Sequence, residues 1–385
     1  MTRPQTTLVL GCGIGGLVAA NHLRRGLPRA HRVVLVERAE RFVFAPSFLW
    51  LMTGLRTPEK ISRPLSALDR KGIERVTGEI EAINPEARTV RVGGRTLQGD
   101  QLIVALGAEL APEVVPGLAE AGHNLYTLEG ATALRDARLK LRAGRIAVLV
   151  SGIPFKCPAA PYEAAMLLEY DCRKRGIRER VTIDLYTPEP GPMPVAGPEV
   201  SGQVRRMVEG KGIGYHPGHQ VTAVDPADQR ITFADGTTTR FDLLVYIPPH
   251  RAPGVVREAG LCGESGWVPV DPGTLETRYP GVYAIGDVTG IPLPVGKPLP
   301  KAGVFAHGQA EVVAGNIVCA VTGKGKPRRF AGDGECFVET GDGQAGFGSG
   351  NFYAAPAPQV KLRGPNRALH LGKVAFERFW LFEWF

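Results

Sequence analysis

Short apolar runs alternate with helical segments in two parts of this chain. In the first part, an apolar run at residues 7–10 precedes a glycine-rich turn, a helical segment that ends near Arg25, and a second apolar run at residues 32–36. In the second part, residues 145–151 and 181–186 are apolar runs on either side of another helical segment. Strand, helix and strand in this order are typical of parallel α/β units. The pattern predicts an α/β fold with two Rossmann-like, doubly wound units.

Two later apolar runs extend the first of these units. Residues 101–108 end in small residues, and residues 281–287 end in Gly286 and Asp287. We therefore predict a first unit of residues 1–110 with 272–325, which binds a dinucleotide. A second unit would comprise residues 111–271, and a C-terminal module residues 326–385.

The turn after the first strand has the spacing G-x-G-x-x-G. Gly11 permits a tight turn, Gly13 lets the backbone approach a pyrophosphate, and Gly16 lets the helix pack closely on the strand. Glu37, which ends the next strand, is placed to accept hydrogen bonds from ribose hydroxyls. The turn, the helix and this acid together predict a dinucleotide site.

The corresponding turn of the second unit has a different composition. Residues 152–158, GIPFKCP, hold two prolines, a lysine and Cys157 where a pyrophosphate would need close backbone approach. Proline also removes backbone N–H donors. The partner strand ends in Tyr-Thr-Pro, with no acid or arginine for an adenosine ribose. We expect this degenerate unit to keep its architecture without binding NAD(P)H.

Composition and charge are those of a folded chain with a large apolar core. The 385 residues include 44% hydrophobic and 22% charged residues, which excludes a disordered chain or a small disulfide-stapled scaffold. Six cysteines are too sparse and irregular for a disulfide framework or a zinc site, so no metal is expected. The net charge of +8 is spread without blocks of like charge. We therefore expect no nucleic-acid binding.

Residues 8–20, LVLGCGIGGLVAA, have the apolar character of a secretory signal. Their spaced glycines and the strand that follows favour a part of the fold instead. No uncharged run of about 18 apolar residues occurs, so a transmembrane helix is not expected.

The C-terminus is unusually aromatic. Residues 376–385 hold six aromatic residues in a chain that is 7% aromatic. On a helix over residues 369–385, an apolar stripe would lie opposite a polar face. The stripe is Leu371, Ala375, Phe379 and Phe382, the polar face is His370, Lys373 and Glu377, and Trp380 and Trp384 lie along the border. This amphipathic helix predicts peripheral association with a membrane, the cytoplasmic face being expected in the absence of a recognised signal. The alternative is a helix docked on its own domain or on a second subunit.

Residues 155–163, FKCPAAPYE, resemble the sulfide:quinone oxidoreductases and their relative, the flavoprotein subunit of flavocytochrome c sulfide dehydrogenase. Further similar segments are FVFAPS at residues 42–47, GD at Asp287, PKAG at residues 300–303, ECF around Cys336, and the tail HLGKVAFERFWL. The Gly-Asp pair itself is typical of the wider flavoprotein disulfide reductase superfamily.

The resemblance implies a flavoenzyme that oxidises sulfide and reduces a membrane quinone. Its cofactor would be FAD, bound without a covalent link because residues 43–50 contain no cysteine. Cys157 and Cys336 would be the redox pair, and Glu163 a candidate acid/base. The candidate cofactor-binding residues are Gly11, Gly13, Gly16, Glu37, Arg38, Pro46, Ser47, Ala105, Gly107, Gly286, Asp287, Lys301 and Ala302.

Some features depart from the family pattern and leave alternatives open. Residues 107–130 lack a third cysteine, and the loop at residues 188–197 lacks a histidine, so a proton carrier is missing or relocated. A quinone pocket is hypothesised among Phe337, Phe347, Phe352 and Tyr353. The alternatives are a type II NADH:quinone dehydrogenase-like enzyme and an electron-transfer flavoprotein subunit with a cytochrome partner. Assembly as a homo-oligomer is left open.

Overall fold

The α/β prediction is confirmed by a computed structural model that describes residues 3–385. The α-helices are α1 (Ile14–Gly26), α2 (Phe48–Met52), α3 (Leu118–Ala121), α4 (Leu128–Lys140), α5 (Ala160–Lys174), α6 (Pro198–Glu209), α7 (Gly254–Glu258), α8 (Gly303–Thr322) and α9 (Arg367–Glu383). The strands are β1 (Thr6–Leu10), β2 (Arg32–Glu37), β3 (Arg41–Val43), β4 (Ser62–Pro64), β5 (Glu74–Thr77), β6 (Ile80–Asn84), β7 (Thr89–Val92), β8 (Arg95–Gln98), β9 (Gln101–Val104), β10 (Glu109–Leu110), β11 (His123–Asn124), β12 (Gly144–Val150), β13 (Val181–Tyr186), β14 (Gly214–His216), β15 (Val221–Asp225), β16 (Arg230–Phe233), β17 (Thr238–Arg240), β18 (Leu243–Ile247), β19 (His250–Arg251), β20 (Val282–Ala284), β21 (Asp333–Gly341), β22 (Gln344–Asn351) and β23 (Gln359–Asn366).

Two parallel sheets form the centres of the two units. The first has the strand order β20-β9-β1-β2-β5, and the second has the order β11-β18-β12-β13-β14. Their central strands are apolar on both faces because both faces are covered. In the first sheet, helices α1 and α8 pack on one face and strands β6 and β7 on the other. The carboxyl ends of the first sheet's strands meet at one edge, where ligands bind in open α/β sheets.

The boundary of the second unit differs from the predicted residue 271. Val256, Leu261 and Val268 pack in one apolar cluster with Leu8 of β1 and Val282 of β20. Residues 252–271 therefore belong to the first unit. The apolar runs alone did not show this, because the segment has no strong strand or helix pattern of its own.

The C-terminal segment packs on both units. The antiparallel sheet β21-β22-β23 places Val338 in the apolar cluster of the second unit, beside α5. Trp380 of α9 and Trp384, which follows the helix, join the cluster of the first unit, which also contains residues of α1 and α8. This segment therefore spans the two units and shares its core with them.

Helix α8 is long and apolar enough to cross a membrane, which the sequence analysis did not anticipate. Its mean hydropathy is 1.3, and half of it is buried. Core helices of soluble proteins meet the same criterion, and α8 packs against α1 inside the first unit. We interpret it as a core helix whose first residues line a cavity.

Helix α9 corrects the prediction for the polar face of the tail. The helix begins after Asn366, whose side chain accepts from the backbone N–H of Leu369 at 2.9 Å. Lys373 and Glu377 are buried, being only 8% and 4% exposed. They are buried because each has a charged partner from elsewhere in the chain.

The predicted apolar stripe of α9 is the side that faces outward. Leu371, Phe379 and Phe382 are 64%, 63% and 79% exposed, and Phe376 beside them is 47% exposed. The helix thus docks on its own protein, as the alternative interpretation held, and still presents aromatic side chains to its surroundings.

Candidate active site

A cavity of about 920 Å³ lies at the carboxyl ends of the first sheet. It is lined by most of the predicted cofactor-binding residues. These are Gly11, Gly13, Glu37, Arg38, Pro46, Ala105, Gly107, Gly286, Asp287, Lys301 and Ala302.

The glycines of the first turn have the geometry that a dinucleotide requires. Gly11 has φ +92°, and a Cβ there would lie 2.7 Å from the Ala105 carbonyl oxygen. A Cβ on Gly16 would lie 1.9 Å from the Gly11 carbonyl oxygen, so Gly16 serves the close packing of α1 on β1. At Gly13 a Cβ would meet nothing within 4 Å, because this residue faces the cavity.

Two helices direct their N-termini into this cavity. Gly13 precedes α1 and Ala302 precedes α8, and no side chain caps either helix. Uncapped N–H groups and the positive end of the helix dipole favour an anion or an electron-rich ring. The cavity with these two helix N-termini therefore fits a dinucleotide such as FAD.

Asp287 presents a carboxylate without a protein partner to the cavity. Across residues 3–385, no hydrogen bond to its side chain is seen, and burial raises its pKa above the ordinary value. Lys301 donates to the backbone oxygens of Asp287 (2.6 Å) and Thr289 (3.1 Å), and its Nζ lies 3.3 Å from the centre of the Trp267 ring. Burial lowers the pKa of Lys301 to about 8, and the charge of Asp287 opposes this shift, so the ammonium group keeps its charge at neutral pH. An unpaired carboxylate at this position suits a hydroxyl-bearing ligand.

Two predicted cofactor residues make different contacts from those expected. Ser47 does not line the cavity, because its hydroxyl donates to Glu377 of α9. Glu37 does line it, but its carboxylate already accepts from the backbone N–H groups of Cys12 (2.7 Å) and Ala39 (3.0 Å). A ribose hydroxyl would share this carboxylate with the turn.

A second cavity, of about 530 Å³, adjoins the first and is mostly apolar. Cys157 and Lys301 line both cavities, and Cys336 lines the second. The structure therefore brings the two predicted redox cysteines to one cavity, with Cys157 in the wall that separates it from the cofactor site.

The loop between β12 and α5 explains the position of Cys157. The corresponding loop of the first unit spans only residues 11–13, whereas this one spans residues 151–159. The longer loop reaches across to the first unit, where the Cys157 N–H donates to the Lys301 carbonyl oxygen at 2.7 Å. Cys157 also has φ +49°, an uncommon conformation for a side chain with a Cβ. The loop at the position of a nucleotide-binding turn therefore holds a thiol in this unit.

Strand alternation explains the position of Cys336. Successive side chains of a strand point to opposite faces. Cys336 and Val338 of β21 line the second cavity, while Phe337 and Glu339 face α9 and contact Phe376 and His370. The strand thus separates the thiol side from the side covered by α9.

Both thiols are held in their neutral form. Burial raises the pKa of Cys157 well above its ordinary value, and Cys336 and Glu163 raise it further. Cys336 is open to the cavity but enclosed by protein, which raises its pKa to about 12, while Lys373 partly opposes the rise. Loss of a thiol proton therefore needs an acceptor nearby.

Glu163 lies between these thiols and α9. Its Oε1 accepts from the backbone N–H of Glu339 (2.7 Å) and from Lys373 Nζ (3.0 Å). Burial works against the charge of Lys373, but Glu163 and Glu339 raise its pKa above the ordinary value. Glu339 in turn lies 3.0 Å from His370 Nδ1, and the His370 side chain is 22% exposed. These four residues form a polar chain of two pairs, Glu163 with Lys373 and Glu339 with His370, which the Glu339 backbone N–H joins.

The quinone-pocket hypothesis needs correction. Phe337 and Phe347 pack together with ring centres 4.9 Å apart on the α9 side of the sheet β21-β22-β23. Phe352 instead lines the second cavity, which holds Cys157 and Cys336 and is called the thiol cavity below. Tyr353 packs on Phe330. These four aromatic residues therefore do not line one pocket.

Sequence reasoning missed two polar residues of the site. Lys373 was assigned to a solvated face, and Glu189 was not considered although it lies in the loop noted for lacking a histidine. Glu189 is 6% exposed and lines the thiol cavity. The sequence feature that could have identified Glu189 is a single acidic residue between two prolines.

Comparisons with known proteins support the resemblance found in the sequence. The sulfide-quinone reductase of Aquifex aeolicus (strain VF5) is 29% identical over 399 residues, covering 98% of this chain and 90% of that protein. The mitochondrial sulfide:quinone oxidoreductase of Mus musculus is 27% identical over 302 residues, covering 74% of this chain and 66% of that protein. The X-ray structure of the sulfide:quinone oxidoreductase from Aquifex aeolicus matches with a TM-score of 0.88 and 26% identity, covering 99% of this chain and 91% of that one.

The resemblance to the sulfide:quinone oxidoreductases is thus confirmed. The family model for pyridine nucleotide-disulphide oxidoreductases matches residues 5–310. Because this match includes the dinucleotide turn, the degenerate second unit and the start of α8, the chain belongs to the pyridine nucleotide-disulphide oxidoreductase family.

Proposed function

We propose that this chain is a sulfide:quinone oxidoreductase that oxidises sulfide to polysulfide or sulfane sulfur. It is an FAD-dependent oxidoreductase whose substrates are sulfide and a quinone. The uncapped ends of α1 and α8 and the carboxylate of Asp287 would hold FAD without a covalent link. When bound, FAD takes up two electrons from the sulfur site and passes them to the quinone.

The observation that carries this function is the position of Cys157 in the wall between the two cavities. Sulfide enters the apolar cavity and attacks a sulfur of the Cys157–Cys336 pair, so that one sulfur–sulfur bond forms as another breaks. The thiolate that leaves is the one beside the cofactor cavity. An NADH dehydrogenase would need a nucleotide in the second unit, where the loop at residues 151–159 supports the thiol instead.

The polar chain from Glu163 to His370 accounts for proton handling in this proposal. Glu163 takes the proton that a thiol must lose, because both thiols are neutral when reduced. Lys373 keeps the carboxylate paired within the protein, and Glu339 and His370 continue the route toward the surface. The proton that a thiol loses thereby reaches the side covered by α9.

The quinone is proposed to bind on that same side. Phe337, Phe347 and Phe376 form an aromatic cluster there, and Phe44 contacts Phe376 with ring centres 6.3 Å apart. The exposed aromatic stripe of α9 continues this cluster outward. A membrane surface that accepted the stripe would bring the quinone to the cluster, which suits peripheral association at the cytoplasmic face.

Anaerobic addition of sulfide and, separately, of NADH is expected to distinguish the candidate functions. Sulfide should bleach the flavin absorbance rapidly, and NADH should not do so at a comparable rate because the second unit lacks a nucleotide turn. The measurement is stopped-flow absorbance of the flavin. Bleaching by NADH alone would favour the NADH dehydrogenase alternative. A sulfide-reduced flavin that is reoxidised by an oxidised cytochrome but not by a quinone would favour the electron-transfer subunit.

Asp287→Asn is expected to weaken FAD retention. A hydrogen bond to a charged acceptor contributes about 1.5–3 kcal/mol, so the dissociation constant should rise roughly tenfold to a hundredfold. Equilibrium dialysis of the purified protein measures this change, with the exposed Asp228→Asn as the matched control. Equal affinities would remove Asp287 from the cofactor site, and flavin that stays with denatured protein would reveal a covalent link.

A further inference from the structure

Glu189 is a buried acid that the function described so far does not use. It lies just beyond the carboxyl end of β13, is 6% exposed, and lines the cavity that holds Cys157 and Cys336. The other walls of this cavity are mostly apolar, such as Phe155, Leu299 and Val338. An isolated carboxylate in such surroundings is costly unless it has partners or a role.

Contacts from two elements fix the position of this carboxylate. Tyr162 of α5 donates its hydroxyl to Glu189 Oε2 at 2.8 Å, and Tyr162 is itself fully buried. The backbone N–H of Glu189 donates to Thr187 Oγ1 at 3.2 Å, and its backbone oxygen accepts from the Gly218 N–H at 3.1 Å. The side chain is therefore held against the cavity by both α5 and the end of β13.

Burial, opposed by the groups around it, leaves the Glu189 carboxyl group about half ionised near pH 7. Burial raises the pKa of Glu189 to about 7, while the hydroxyls of Tyr162 and Thr187 and the ammonium group of Lys297 act in the opposite direction. Tyr215 of β14 faces Tyr162 from the far side. A carboxyl group with this pKa is ionised above pH 7 and protonated below it, which suits reversible proton transfer.

The chemistry of the cavity calls for such a group. Hydrogen sulfide enters an apolar cavity most readily as the neutral molecule, but the nucleophile is the hydrosulfide anion. Neither thiol accepts this proton, since both are protonated when reduced. Glu163 has its Oε1 occupied by Lys373 and by the Glu339 N–H on the side toward α9. A separate base for the entering substrate is therefore needed.

We propose that Glu189 is the base that removes a proton from hydrogen sulfide inside the thiol cavity. Hydrogen sulfide and the Glu189 carboxylate give the hydrosulfide anion and the Glu189 carboxylic acid, with no change in oxidation state. The hydrosulfide then attacks the cysteine pair, and the proton leaves through the cavity mouth, where Ile153 is 59% exposed. The inference rests on the proposed function and assigns the base for its first substrate.

The test is the rate of flavin bleaching by sulfide in the FAD-loaded protein, measured against pH and divided by the concentration of neutral hydrogen sulfide. In the wild type this rate constant should rise up to about pH 7 and then level off, because Glu189 is ionised beyond that point. In Glu189→Gln it should be at least tenfold lower at pH 7 and keep rising without a plateau, since only hydrosulfide formed in solution reacts. Glu199→Gln, an exposed change on α6, is the matched control and should keep the wild-type profile.

A second variant tests the titration of Glu189 itself. Tyr162→Phe removes a donor that stabilises the ionised carboxylate, so the plateau should move to higher pH. The infrared band of the protonated Glu189 carboxyl is present in the wild type and lost in Glu189→Gln. The pH at which half of this band disappears should also be higher in Tyr162→Phe. This band is read without any sulfide.

The outcomes separate the two proposals. A Glu189→Gln profile with the wild-type plateau, or a Tyr162→Phe plateau that does not move, overturns the role of Glu189. If Glu189→Gln does not retain FAD, the Tyr162→Phe profile decides alone. A wild-type protein whose flavin is not bleached by sulfide at any pH refutes the proposed function instead.

Discussion

Replacing Cys157 or Cys336 by serine is expected to slow the reduction of bound FAD by sulfide roughly a thousandfold or more. Each serine keeps the size and polarity of the site but removes a sulfur, so no sulfur–sulfur bond can form at that position. FAD binding should persist, because Cys336 lies outside the cofactor cavity and Cys157 contributes its backbone N–H to Lys301. Stopped-flow bleaching of the flavin at matched flavin content measures the effect.

The other cysteines supply the controls for this experiment. Cys172 is buried in the apolar cluster of the second unit, and Cys262 packs beside the first sheet. Serine at Cys262 should leave the rate of bleaching within a factor of about two. If the Cys336→Ser protein bleaches at the wild-type rate, another thiol carries the chemistry and the assigned pair is wrong.

The double change Phe379→Ser and Phe382→Ser is expected to release the protein from membranes. These side chains are 63% and 79% exposed, so the fold gains little stability from their burial. Burial of a phenylalanine in an apolar phase contributes roughly 1.5–3 kcal/mol, so the loss of two should weaken vesicle binding about a hundredfold or more. Sedimentation with vesicles of phosphatidylcholine and phosphatidylglycerol measures the bound fraction.

Reduction by sulfide should be unchanged in this variant, while reoxidation by a long-tailed quinone in vesicles should slow more than reoxidation by a short soluble analogue. Leu139→Ser, an exposed apolar change on α4, is the control for surface hydrophobicity. Unchanged sedimentation would mean that the stripe covers another protein surface, such as a second copy of the chain. Truncation of residues 369–385 is a poorer test, because it also removes Lys373 from Glu163 and Trp380 from Phe42.

The dinucleotide turn is the part of the site that local sequence could predict. The spacing of Gly11, Gly13 and Gly16 encodes backbone conformation and close packing, and these depend on the residues themselves and their immediate neighbours. The turn at Gly286 and Asp287, just beyond β20, followed from an apolar run with a polar end. Pairing Cys157 with Cys336, by contrast, came from a family resemblance, since no local pattern joins residues so far apart.

The tail shows where periodicity stopped being informative. The spacing of residues on α9 correctly separated Leu371, Phe379 and Phe382 from Lys373 and Glu377. It did not say which side faces inward, and the usual rule that charged residues face water gave the wrong orientation for Lys373 and Glu377. Partners from distant segments reversed that rule, because a paired and hydrogen-bonded charge can be buried.

The sequence by itself therefore determined the strand–helix–strand units and the glycine turn, since both depend on interactions between residues that are close in the chain. Only the tertiary structure decided that the loop at residues 151–159 carries Cys157 to Lys301 of the other unit. It also decided that Glu189 meets Tyr162 at the thiol cavity, and that Arg56 and Ser47 pair with Glu377 beneath α9. These features depend on side chains that are far apart in the chain and become neighbours only when both units and the C-terminal segment pack together.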